Sequence, residues 1–317
     1  MELNRRNFLR TSISGAALAA SGMAFSSCQA PNKEEKHNEG EDHLDFFSKN
    51  RAKAELNLSF QERIPIGETL NEKLDYMEKL GIVGFEPNGR NLSGRVKEIK
   101  EALKGRPIKT SAICAGFKGF MLSAESKVRK QCMDTMKEIL IAAGELGSVG
   151  VIIVPAFNSQ KPILPNTMET RDFLCQEFDK LGTFAHEHGT SVIFEPLNRK
   201  ECFYLRQVAD AASICRDINN PGVRCMGDFW HMHFEETSAM GAFISGGEYI
   251  QHVHIASLTK RCVPGEDGKG DIYTEGFRGL KMIGYHNYIS YECGCKGDKS
   301  ILLPASVKLI REQWNQA

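Results

Sequence analysis

The chain reads as an α/β protein, a single-domain (β/α)8 barrel, on three observations. From residue 51 onward, short apolar runs of strand character alternate with segments of helical period, eight of each. The first run leads into Gln61-Glu62-Arg63 with no glycine-rich phosphate turn, so the rival open doubly wound sheet lacks its usual signature. Four polar residues, Glu195, Asp228, His254 and Glu292, end the last apolar runs at spacings of 33, 26 and 38 positions, about one strand–helix repeat each. Barrel enzymes carry their chemistry at those strand ends.

The elements follow in order. Strands are expected at 54–60, 82–87, 108–115, 150–156, 191–196, 223–228, 251–256 and 288–293. Helices are expected between them at 69–80, 93–104, 124–146, 168–188, 204–217, 234–245 and 276–283, with a last one at 303–315. The helix at 124–146 has the clearest period, with Val128, Cys132, Met136, Ile139, Leu140 and Ala143 on one face. Gly81, Gly147 and Gly189 stand where three of these helices should stop. No second domain is expected in 51–317.

Composition agrees with a large single core: 317 residues, 41% hydrophobic and 25% charged. Lys+Arg and Asp+Glu both total 40, so the net charge is zero and argues against a nucleic-acid partner. Residues 1–28 read differently. Arg5-Arg6 in NRRNFLR precede an apolar stretch, Ile13 to Phe25, that is too short to span a membrane. This segment resembles a twin-arginine export signal. It ends in AFSSC, so Cys28 could be a lipoprotein cysteine, with simple cleavage as the alternative. Residues 29–50 are polar and charged and suit a flexible tether. The expected location is therefore outside the cytoplasm, periplasmic or membrane-anchored, with the lipid as the only membrane contact. Of ten cysteines, nine lie beyond Cys28, scattered and without zinc-finger spacing, and buried free thiols are expected.

Three carboxylates and one imidazole at one rim suit a hard or borderline divalent cation. Either glutamate alone could equally pair with an Arg or Lys. Both together, in register with Asp228 and His254, favour a cation, because a buried unpaired carboxylate costs several kcal/mol. In GDFWHMHFEE, His231 lies three residues past Asp228 and can face the same cavity, whereas His233 points away. His252 shares a strand face with His254 and is expected deeper in the barrel as a packing residue. Glu62, Glu86 and Asn88, at the ends of the first two strands, are candidates for the pocket wall, as are Lys118 and Asn158. Phe117, Phe120, Phe157 and Trp230 could roof it. The glycine-rich stretch 264–271 is expected as a loop.

Together, FEPLNRKE, GDFWHMHFEE, the H-V-H strand and the final strand glutamate resemble the xylose-isomerase-like barrel superfamily. Within it they are most similar to the sugar phosphate isomerase/epimerase group and its ketose 3-epimerases. The resemblance covers most of residues 51–317 as a fold and about the last 130 residues as motifs. It implies that Glu195, Asp228, His254 and Glu292 ligate a divalent metal; an oxygen-rich set with one imidazole suits Mn²⁺, with Mg²⁺ or Co²⁺ as alternatives. It also implies that Glu195 and Glu292 are the catalytic acid/base pair, that Glu201 contacts sugar hydroxyls, and that His231 holds the carbonyl oxygen. Lys260 stands where the group usually has Arg, with Arg261 next, and Ser257 stands where it usually has an acid; Lys260, Arg261 and Glu86 are the remaining substrate-contact candidates.

The expected activity is a metal-dependent sugar isomerase or epimerase that removes a proton next to a sugar carbonyl through an enediolate. The same site could instead expel a glycosidic oxygen, as a 3-keto-glycoside lyase or hydratase. A non-catalytic sugar-binding barrel is the third reading. The partner is a small carbohydrate, and a homo-oligomer is compatible with the sequence.

Overall fold

A computed structural model describes residues 49, 52–268 and 271–317, all within one compact unit, Glu41–Ala317. The export-signal and lipidation expectations for 1–28 lie outside the described residues, as does nearly all of the expected tether.

Nine parallel strands form one sheet: β1 (Asn57–Gln61), β2 (Gly84–Glu86), β3 (Lys109–Thr110), β4 (Ala112–Ile113), β5 (Gly150–Ile153), β6 (Val192–Phe194), β7 (Val223–Asp228), β8 (Ile250–Ile255) and β9 (Tyr288–Tyr291). Their order is β3-β2-β1-β9-β8-β7-β6-β5-β4. Nine strands make eight staves, because β3 and β4 are one stave interrupted at Ser111. The Ser111 N–H donates to the Phe85 carbonyl at 2.8 Å, and its own carbonyl accepts from the Val149 N–H at 3.0 Å. Ser111 therefore bridges β2 to the edge of β5 and nearly closes the barrel.

The helices are α1 (Leu70–Lys79), α2 (Val96–Leu103), α3 (Ser126–Glu145), α4 (Met168–Glu187), α5 (Val208–Ile218), α6 (Phe229–Glu235), α7 (Ala239–Gly246), α8 (Thr274–Met282) and α9 (Lys299–Gln316). Thr69 and Glu72 form a capping box that starts α1. α3 buries Cys132, Met136, Ile139, Leu140 and Ala143, the face its period predicts. Gly81, Gly147 and Gly189 follow α1, α3 and α4 with φ of +64°, +66° and +72°, a left-handed turn that glycine adopts without strain. One expected helix, 234–245, is two. The chain turns extended at Glu236, and Ser238 starts α7 anew by accepting the Gly241 N–H at 3.0 Å. Among the described residues no helix is long and apolar enough to cross a membrane.

The main apolar core lies between the barrel and its helices, including Phe85, Phe178, Phe194, Phe243 and Phe277, all fully buried. Each such side chain contributes about 1.5–3 kcal/mol. A smaller cluster, Ala112, Ile152, Ile193 and Met226, is separate from it. Ser59, Ser111, Glu86, His252, His254 and Ser290 are also fully or almost fully buried, and the Ser59 and Ser111 hydroxyls meet at 2.7 Å. Burying polar groups requires partners, and those partners build the site.

Candidate metal centre

The β7–β8 pairing carries a register shift between Cys225 and Met226. Cys225 pairs with Ile250, Met226 with His252, and Asp228 with His254. Skipping Gln251 keeps both histidines on the face of Met226 and Asp228. An unshifted ladder would set Asp228 beside Val253, whose side chain points to the opposite face.

Glu195, Asp228, His254 and Glu292 each offer a ligand atom, and these atoms lie within 4.8 Å of one another. His254 Nδ1 stands 3.3 Å from Glu195 Oε1 and 3.2 Å from Glu292 Oε2. Asp228 divides its oxygens. Oδ1 caps α6 by accepting the Trp230 N–H at 2.8 Å, while Oδ2 is buried without a hydrogen-bond partner. The chain turns directly into α6 after Asp228, which fixes the carboxylate and sets His231 one turn on.

The electrostatics fit a cation. Burial, with the neighbouring charge of Glu292, pushes Asp228 up to about 7. Burial also raises Glu195, against its hydrogen bond to His254. Burial opposes ionisation of Glu292 too, but His254 and Arg261 hold it well below the usual carboxylate range. Buried carboxylates this close repel one another, and a divalent cation would relieve both the repulsion and the burial cost. The residues fit such an ion.

Glu86 lies behind His254. Its Oε1 is 3.0 Å from His254 Nε2, and its Oε2 is 2.8 Å from His252 Nε2. Gln61 donates to Glu86 Oε1 at 2.9 Å. A carboxylate at Nε2 holds a proton there and leaves Nδ1 to face the other carboxylates. Glu86 was expected as a substrate contact; its carboxylate is 1% exposed and both oxygens are engaged with these side chains. His252 packs inside as expected, but its Nδ1 is buried without a partner.

On the other side, His231 Nδ1 accepts the Asn198 backbone N–H at 3.1 Å. That nitrogen carries no proton, so Nε2 does. His231 Nε2 lies 3.5 Å from Asp228 Oδ2, and burial with the nearby Arg261 charge pushes the imidazole down to about 3. It is therefore a neutral donor aimed into the site. Nothing in the periodicity marks Asn198, which lies inside FEPLNRKE; its role appears only once β6 and α6 are packed together.

Arg261 joins the site, and Lys260 is exposed beside it. Arg261 Nη2 lies 2.7 Å from Glu292 Oε2 and 3.7 Å from Asp228 Oδ2, and Nη1 lies 3.8 Å from Glu201 Oε1. Its guanidinium stacks on Trp230 at 4.5 Å. A φ of +49° at Arg261 reverses the chain there. Ser257, in the position where an acid is usual, is fully buried and donates to Asp267 at 2.7 Å. Asp267 and Asp271 thereby tie the glycine-rich loop to residues 257–259. His233 is exposed. The nine cysteines among the described residues are free, six of them buried.

A parallel barrel with an acid- and histidine-lined mouth defines a class of metal-site (β/α)8 protein. The family profile described as Xylose isomerase-like TIM barrel matches residues 74–313, and the chain belongs to that family. It is 28% identical over 243 residues to the 3-dehydro-D-guloside 4-epimerase of Escherichia coli strain K12, covering 75% of this chain and 92% of that one. A crystal structure of the apo 3-keto-D-glucoside 4-epimerase from E. coli superposes with a TM-score of 0.73 at 26% identity, covering 81% of this chain and all of that one. The D-psicose 3-epimerase of Ruminiclostridium cellulolyticum is 30% identical over 114 residues, 36% of this chain and 38% of that one. The relatives are sugar epimerases, and an isomerase/epimerase reading fits both them and the site.

Proposed function

We propose that this chain is a divalent-metal-dependent sugar epimerase that removes and returns a proton on a carbon next to a sugar ketone, with a 3-keto-glycoside as substrate. One observation carries it: Glu195 and Glu292 flank His254 Nδ1 at 3.3 and 3.2 Å, from strands three staves apart. Two carboxylates brought to one site from separate strands can act as a pair, one taking a proton from one face of a carbon and the other returning it to the opposite face. The substrate class follows the 3-dehydro-guloside and 3-keto-glucoside 4-epimerases, in whose substrates C4 adjoins a C3 ketone.

A bound cation, held by Glu195, Asp228, His254 and Glu292, would supply Lewis-acid stabilisation of the charge developing on the ketone oxygen. An oxygen-rich donor set with one imidazole suits Mn²⁺, with Mg²⁺ and Co²⁺ next. The side chains do the rest. Glu195, raised by burial above the usual carboxylate range, is suited to take up and return a proton. Glu292 carries its charge beside Arg261, which also reaches towards Glu201 and so links the acid/base pair to the sugar-hydroxyl contact. His231 Nε2–H is placed to donate to the substrate oxygen, its tautomer held by Asn198. Of the two cationic candidates, Arg261 rather than Lys260 takes the role, because its planar fork can serve two carboxylates at once.

NRRNFLR and Cys28 support export and a lipid anchor, which would expose the enzyme to extracytoplasmic glycosides. That setting favours one second reading, a lyase in which proton loss at C2 expels the aglycone from C1. Incubating Mn²⁺-loaded protein with a 3-keto-glucoside in D2O, followed by NMR, separates the two. Deuterium at C4 with inversion is expected. Free aglycone would establish the lyase, and the absence of both exchange beside the ketone and aglycone release would sink both readings. Glu195→Gln and Glu292→Gln should each lower exchange by about 10²–10⁴-fold.

A further inference from the structure

A cavity of about 340 Å³ opens beside the metal centre, lined by Gln61, Glu62, Arg63, Lys73, Glu86, Asn88, Cys114 and Glu292. Three carboxylates line it, and each is already partnered. Arg95 takes both oxygens of Glu62 at 2.8 Å. His252, His254 and Gln61 take those of Glu86. Arg261 pairs with Glu292 at 2.7 Å. The two lining cations differ: neither Arg63 nor Lys73 makes an ion pair among the described residues. Asn88 adds a donor, since its Oδ1 is occupied by the Arg90 N–H at 2.9 Å and its amide NH2 is not.

The cavity thus carries uncompensated positive charge and spare N–H donors, and it shares Glu292 with the reacting centre. A neutral sugar needs hydroxyl partners, not two cations. We propose that this cavity is an anion subsite, and that the natural substrate is a sugar derivative bearing a carboxylate, which Arg63 and Lys73 hold while the ketone lies at the metal centre. The proposal rests on the reading of that centre as a sugar site. The carboxylate could sit on the sugar ring or on its aglycone, and both present the same planar acceptor to Arg63.

Titration calorimetry on the Mn²⁺-loaded full chain tests this with three probes: methyl β-D-glucuronide, carboxymethyl β-D-glucoside and methyl β-D-glucoside. At least one acidic probe should bind more tightly than the neutral one, and which one does tells ring from aglycone. The advantage should shrink with added salt, as the screening length falls from ~10 Å at 0.1 M to ~3 Å at 1 M. Arg63→Gln and Lys73→Met should each cut the acidic-to-neutral affinity ratio by about fivefold, the upper end for a solvent-accessible ion pair. A merely structural role would weaken all probes together and leave the ratio unchanged. Equal affinities, no binding of either acidic probe, or a ratio untouched by both substitutions would overturn the subsite. Deuterium exchange reports separately on the reaction. Exchange without discrimination keeps the epimerase and rejects the subsite, and discrimination without exchange does the reverse.

Discussion

Glu86 decides which nitrogen of His254 faces the carboxylates of the metal centre. It is 168 positions away in sequence and 3.0 Å away in space. A carboxylate behind a ligating imidazole orients the ring and raises its basicity, and losing it costs about 10–100-fold in metal affinity. Glu86→Gln keeps the size and removes the charge, so its Mn²⁺ dissociation constant should rise by that factor when free Mn²⁺ is followed by EPR. Unchanged affinity would leave Glu86 a packing residue. The four residues of the candidate centre were legible in sequence, since each ends an apolar run, and the fold brings them together. The choice between Lys260 and Arg261, both candidates in sequence, was not legible, because the positive φ at Arg261 decides which side chain turns inward.

At the scale of elements, the loop after β6 and helix α6 hold the non-ligand half of the site. Glu235, 3% exposed, accepts the Arg199 backbone N–H at 2.7 Å and its guanidinium at 2.9 and 3.0 Å. That clamp holds the loop in which Asn198 fixes His231. Glu235→Gln should destabilise the fold by about 1–2 kcal/mol, discounted because Arg199 is largely exposed. The pH dependence has a defined sign. Arg199 lowers the Glu235 carboxyl below its ordinary value near 4.5, so its contribution is complete above that value and lost as pH falls through the lowered one. Urea midpoints of wild type and Glu235→Gln should differ at neutral pH and converge in acid. A constant gap across the range would count against the clamp. The β7–β8 shift belongs to this scale as well. Strand identity shows in local alternation, but register depends on which neighbour a strand meets.

For the whole molecule, a metal at the candidate centre would be coupled to stability. The folded barrel gathers four candidate ligands that the unfolded chain scatters over nearly a hundred positions, so a cation held there would bind the native state preferentially. At a free concentration about 100 times its dissociation constant it should stabilise the fold by about 2.7 kcal/mol. Chelation should therefore lower the thermal midpoint and Mn²⁺ should restore it; a midpoint indifferent to both would argue against a metal centre. The eight-stave architecture, the helix stops and the ligand quartet could be read from the chain, because periodicity, glycine placement and strand-end polarity are local properties of sequence. Long-range packing alone decided that one stave is interrupted at Ser111 and one expected helix is two. It also set Glu86 behind His254 and Asn198 behind His231, and it left Arg63 and Lys73 without carboxylate partners among the described residues beside Glu292. Those outcomes depend on distances between residues far apart in sequence, and such distances exist only once the barrel has nearly closed.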